Sequence, residues 1–216
     1  MPEFTPEIIQ AEYDRLGYDL GWFFLMSHAD RLHDAVTAIV GLNPGGSDAE
    51  EPEWSSKSGN GYYERPWAGS GTVDHPNQTQ IKAWHRVLQL DPDRTLCGQF
   101  IPFRSAAAKS LKRPSETYEF ARSLWRWVAK TSPARTYICM GNRVTWEIGK
   151  RILGATKVRS YDTGWGDRQI ELWRAPDGRR VIGMPHPSRF LLFDRQDVEK
   201  SQIAERSLLA AFHDKD

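Results

Sequence analysis

Asn43, inside Gly41-Leu42-Asn43-Pro44-Gly45, and His186, inside His186-Pro187-Ser188, are polar side chains set among residues that restrict the backbone. A carboxamide donates and accepts hydrogen bonds but is no base, so it suits holding a water or a polar ligand. An imidazole donates a hydrogen bond or moves a proton near neutral pH. Taken singly, the first string is equally a turn-forming asparagine and the second equally a structural histidine. Their placement is what joins them. Ala35-Val36-Thr37-Ala38-Ile39-Val40 has the β-branched content of a buried parallel strand and ends in a Pro/Gly turn that cannot continue it. Asn43 therefore falls at a strand's carboxyl end. Val181-Ile182-Gly183-Met184 runs likewise into Pro185-His186-Pro187, where two prolines stiffen the loop around the histidine. Ligands of open α/β sheets bind at that carboxyl edge, so the two side chains are expected to face one crevice although 143 residues separate them.

The 216 residues suffice for one domain with a full core, and we expect a single domain over 1–216. Cys97 and Cys139 lie in apolar runs and read as core thiols of a reducing compartment. Two cysteines and no His-rich run supply no closed metal site, so no metal and no cofactor is expected. The acidic, Pro-interrupted start and the absence of a long apolar run point to a soluble cytoplasmic protein, away from membranes and monomeric. Net charge is +1, yet residues 1–103 carry 7 Lys/Arg against 15 Asp/Glu while residues 104–159 carry 13 against 3. That basic quarter, with Arg104, Lys109, Lys112, Arg113, Arg143, Lys150, Arg151, Lys157 and Arg159, is the charge pattern of a phosphate-backbone partner, a nucleic acid, or of solvated helix faces.

Helix-like spacing runs from Pro6 to about His33, including Tyr18, Trp22, Phe23 and Met26. A long loop without periodicity spans Gly45 to about Pro76. Asn77 is expected to cap a helix through about Leu90, Thr95 to Phe103 to form a strand, and Ser115 to open a helix with Phe120, Leu124, Trp127 and Val128 inward. Thr136 to Met140 reads as a strand turning at Gly141-Asn142 into a helix. Ala175-Pro176-Asp177-Gly178 reads as a hairpin turn between Ile170–Trp173 and Arg179–Met184, with a last helix from Asp194. Strands alternating with helices predict an α/β fold, a three-layer α/β/α sandwich on a central, mostly parallel four-stranded sheet.

Gly41-Leu42-Asn43-Pro44-Gly45 resembles the first motif of the uracil-DNA glycosylase superfamily in its Gly-x-Asn-Pro-Gly form, and His186-Pro187-Ser188 resembles the second. Order, strand placement and separation agree over Val36 to Phe190. The resemblance implies a uracil-DNA glycosylase-like fold and hydrolysis of the bond between a base and its sugar, through a cationic sugar and an anionic departing base. It assigns Asn43 to orienting the attacking water and His186 to hydrogen-bonding the departing pyrimidine's carbonyl, with Gly45-Gly46 N–H groups assisting. Gly41, Leu42, Pro44 and Gly45 would line the base pocket with Gln99, which stands where the superfamily commonly has an asparagine reading the pyrimidine edge. Family-one uracil enzymes carry a tyrosine after the motif proline that blocks C5 substituents. Gly45 stands there here, so a C5-modified pyrimidine, such as the glucosylated hydroxymethylcytosine of phage DNA, is expected beside uracil.

Base flipping needs a wedge and a stacking surface. Ser188, Arg189 and Phe190 follow the histidine and suit a wedge, although Phe190 to Phe193 would equally suit the core. Tyr62, with Trp54 in reserve, is the expected platform, or else part of a packed lid, and Trp67 joins them as a surface for a sugar attached to the base; Arg143 and Lys109 are expected on DNA. Asp48, Glu50, Glu51, Glu53 and Asp74-His75 read as solvated loop charges, and Glu64 is the outside candidate for a water-activating carboxylate. Ser188 lacks a Gly-x-Ser-x-Gly elbow and is no nucleophile, and no motif lysine points to a Schiff-base lyase. The competing classes are a noncatalytic binder of modified or damaged DNA and an enzyme of free nucleosides.

Overall fold

The computed structural model describes residues 3–65, 67 and 74–214. Its centre is a parallel set. β2 (Thr37–Gly41) pairs with β4 (Leu96–Gln99) on one side and β5 (Thr136–Met140) on the other, and β5 pairs with β8 (Arg180–Met184). Beyond β4 lie β1 (Phe23–Leu25), antiparallel to it, and β3 (Glu53–Ser55), parallel to β1. Beyond β8 lie β7 (Gln169–Arg174) and β6 (Thr156–Asp162), both antiparallel. The α/β class stands, but the four expected strands are the middle of an eight-stranded mixed sheet ordered β3-β1-β4-β2-β5-β8-β7-β6.

Strand alternation divides the apolar residues between two cores, one on each face of the sheet. Ala38, Val40, Tyr137, Cys139 and Val181 join the core shared with α1 (Pro6–Leu16), α2 (Arg31–Asp34), α5 (Pro114–Thr131) and α6 (Asn142–Trp146). Ile39, Ile138, Met140, Ile182 and Met184 join the other, shared with α3 (Gly61–Glu64), α4 (Pro76–Leu88) and α7 (Val198–His213). Trp84 and Trp125 anchor the two faces, each fully buried. Large apolar side chains contribute about 1.5–3 kcal/mol each when fully buried, so the layers are held by packing more than by helix propensity.

Several boundaries differ from expectation. Trp22 to Met26 enters β1 instead of a second helix, because the aromatics there are buried on both faces of a short strand. His75, not Asn77, caps α4: its Nδ1 accepts from the Asn77 N–H at 3.2 Å while the Gln78 Oε1 accepts the His75 N–H at 3.1 Å. α7 starts at Val198, where the Asp197 carboxylate accepts from the Lys200 N–H. After α6 the helix widens into a π-helical stretch, Glu147–Ile152. Among the described residues no helix is long and apolar enough to cross a membrane.

Candidate active site

Asn43 sits two residues past the end of β2, half-buried. Main-chain bonds tie its loop to the one after β4: the N–H groups of Phe100 and Ile101 donate to the Gly41 and Leu42 carbonyls, each at 2.8 Å, and the Ser105 N–H to the Pro44 carbonyl at 3.0 Å. The Asn43 Nδ2 closes this tie, donating to the Pro44 carbonyl at 2.8 Å and the Ser105 carbonyl at 2.9 Å. Both amide hydrogens are thereby committed. The Oδ1 has no donor among the described residues, so the free end of the carboxamide is a fixed acceptor, suited to a water. A turn-holding role and a water-holding role are thus carried by opposite ends of one group.

His186 follows β8 after the buried Pro185. Its Nδ1 accepts from the Ser188 backbone N–H at 3.3 Å and lies 2.9 Å from the Ser188 hydroxyl. A backbone N–H only donates, so Nδ1 is unprotonated and the ring's proton is on Nε2. Burial, and secondarily the charge of Arg189, lowers the His186 pKa from its ordinary value and favours this neutral donor. Gly141, at the end of β5 with φ of +87°, supports the ring: a Cβ there would sit 3.6 Å from the His186 Cβ and Cδ2. Its N–H donates to the Met184 carbonyl at 2.7 Å. β5 alone separates β2 from β8, so the strands that lead into the Asn43 and His186 loops run about 10 Å apart and end on one carboxyl edge.

Gln99 ends β4 beside Gly41, and a Cβ on Gly41 would fall 2.4 Å from its Oε1, so the Gln99 amide lies across that glycine. Tyr62 reaches the same edge from α3, its hydroxyl donating to the Met140 sulfur at 4.0 Å. It is only 1% exposed and packs on Trp67 at 5.6 Å, so it has no open face for a base to stack on. This is the packed-lid arrangement. Trp54 serves the opposite core, edge-on to Phe24 at 5.2 Å, and is no platform at this edge. Residues 66 and 68–73 of the long loop lie outside the described residues. Gly45 is exposed, with nothing within 4 Å of an added Cβ, and neither its N–H nor that of Gly46 has an acceptor among the described residues.

The loop after His186 projects between two anchors. The Arg189 and Phe190 N–H groups donate back to the His186 carbonyl at 3.0 and 3.1 Å. At the other end the buried Gln80 side chain takes the Leu192 and Phe193 N–H groups at 2.8 and 3.0 Å and donates to the Phe193 carbonyl at 3.0 Å. Leu192 and Phe193 enter the core, whereas Ser188, Arg189 and Leu191 are exposed. Phe190 is half-buried, edge-on to Trp165 at 6.1 Å and 5.1 Å beneath the Arg168 guanidinium. Leu191 is therefore the exposed apolar tip of this loop. Sequence reading missed it because four apolar residues in a row conceal which one is left outside.

Much of the basic quarter is already paired. Arg104 is buried and clamps the site loop, donating to the Gly45 carbonyl and at 2.5 Å to Glu50, so it is not free for a phosphate. Lys112 pairs with Asp19, Arg113 with Glu116, Lys157 with Glu171 and Arg159 with Asp214. Arg143 lies 4.3 Å over the Tyr118 ring and 3.3 Å from Glu147. Lys109, Lys150 and Arg151 make no ion pair with a described residue. The acidic loop is likewise bonded more than solvated, with Glu50 and Glu53 held by Arg65 at 2.9 and 2.6 Å. Glu64 is exposed, its carboxylate against Gly59. Asp74 pairs with Lys82 at 2.6 Å. No protein-family model matches the sequence, and no curated protein matches it.

Proposed function

We propose that this chain is a monofunctional DNA glycosylase that hydrolyses the N-glycosidic bond of a flipped pyrimidine. One observation carries the reading: a carboxamide with only its acceptor free and a neutral imidazole with only its Nε2 donor free stand past the carboxyl ends of β2 and β8, strands about 10 Å apart in one sheet. Such a pair fits a reaction that needs a water held on one side of a sugar carbon and a hydrogen bond to the departing base on the other. The Asn43 Oδ1 holds the water, which attacks the anomeric carbon as the bond to the base breaks. The base leaves with the bonding electrons, and His186 Nε2–H stabilises the charge gathering on its carbonyl oxygen; such donors are worth about 2.7–4 kcal/mol. The water's lost proton ends in solvent or on the base. Free base and an abasic site result.

The open space at Gly45 supports a base enlarged at C5, alongside uracil. The test is mass spectrometry of bases released from DNA containing uracil, hydroxymethyluracil or glucosylated hydroxymethylcytosine. Release of a substituted base agrees with the reading; release of plain uracil alone removes the C5 preference. Tight binding of such DNA without release would make the chain a noncatalytic binder instead.

A further inference from the structure

Three unpaired cations of the basic quarter gather in one place. Lys150 and Arg151 meet Arg126 of α5 around a cavity of about 490 Å³ that Glu119, Arg122 and Trp146 complete. Among the described residues Arg126 and Lys150 have no acidic partner. Arg151 instead lies with its guanidinium 5.2 Å from the centre of the Trp146 ring. Arg122 is committed to the fully buried Glu147 at 2.8 and 3.1 Å, which leaves the other three cations facing a single exposed acid, Glu119.

The π-helical stretch explains the gathering. In an α-helix Lys150, four residues after Trp146, would share its face and Arg151 would turn away. The wider i to i+5 winding of Glu147–Ile152 brings both toward Trp146. Trp146 is 39% exposed, so part of its ring is open to a ligand. An aromatic wall flanked by a guanidinium and bordered by free cations fits a planar base with its phosphate.

We propose that this cavity binds a nucleotide unit, its base on Trp146 and Arg151 and its phosphate on Arg126 and Lys150. The unit belongs either to a nucleic-acid strand or to a free nucleotide. The strand form rests on the proposed function, because α6 begins at the candidate crevice and reaches Trp146 about 6 Å further along its axis.

The test titrates a short fluorescein-labelled oligothymidylate by anisotropy over a range of salt, and free thymidine triphosphate by calorimetry, on the full chain. Arg126→Ala/Lys150→Ala, at exposed sites, is expected to weaken oligonucleotide binding about tenfold or more and to lower the salt slope by about one to two. Trp146→Ala is expected to weaken binding with the slope kept. Loss of triphosphate binding with oligonucleotide binding unchanged assigns the cavity to free nucleotides and supports it. Unchanged binding of both ligands in all variants, or no binding of either by the wild type, overturns it. Base release is read separately: a wild type that binds both probes but releases no base removes the proposed function without touching this site.

Discussion

Gly45 has an ordinary backbone conformation, open space around its α-carbon and a carbonyl clamped by Arg104. A side chain there costs the fold little, so the position is a clean probe of substrate. Gly45→Tyr is expected to leave the thermal midpoint within a few degrees of wild type and to cut release of C5-substituted pyrimidines at least tenfold more than release of uracil. Equal losses on both substrates would show that the space does not face C5. Asn43 and His186 were legible as residues because Pro and Gly punctuation isolates them at strand ends. The details that give them direction were not. No residue spacing reveals that Pro44 and Ser105 carbonyls consume the Asn43 amide hydrogens, or that the Ser188 N–H sets the His186 tautomer.

At the scale of elements, the loop from His186 to Phe193 is a projection held at both ends, with Arg189 and Leu191 outward. A wedge matters only where a stack must be refilled, and opening a duplex step costs a few kcal/mol. Arg189→Ala/Leu191→Ala should therefore slow single-turnover release from duplex DNA about tenfold or more while leaving release from single strands within about threefold. A uniform loss on both would make the loop part of the base pocket instead.

The four parallel strands were readable because each is buried on both faces and therefore rich in Val, Ile, Leu or Cys. Of the flanking strands, β7 was readable from the turn after it and from the alternation of Ile170 and Leu172, whereas β1, β3 and β6 carry no such signal. β3 is three half-buried residues, Glu-Trp-Ser, and β6 is a mostly exposed run, Thr156–Asp162, whose strand character comes from pairing with β7 and not from hydrophobic alternation. β1 was concealed by aromatics whose spacing also fits a helix, and the capping role of His75 by the more usual cap residue two places on.

For the whole molecule, two histidines link stability to pH. His85 is buried, with Nδ1 3.0 Å from the Ile81 carbonyl and Nε2 lacking any partner among the described residues. Burial lowers its pKa, as it lowers that of His186. Both groups take up a proton more readily in the unfolded chain, at about pH 6.5, than in the folded one. Stability is therefore fully present above that pH and falls as pH drops from it toward the lowered folded values. Urea midpoints measured on either side of this window should decline on the acid side, and His85→Gln should flatten part of the decline. A stability that rises on acidification would contradict the placement of both rings.

The two-sided site is tested most directly by single-turnover base release from DNA bearing C5-substituted pyrimidines or uracil, measured by mass spectrometry for wild type, Asn43→Ala and His186→Ala. We expect a free pyrimidine and an abasic site from the wild type. Each variant should lose about 10²-fold or more in rate, with DNA affinity nearly kept. No base released from any of these DNAs, or release that survives both substitutions, would contradict the assignment of water and leaving group to these two residues.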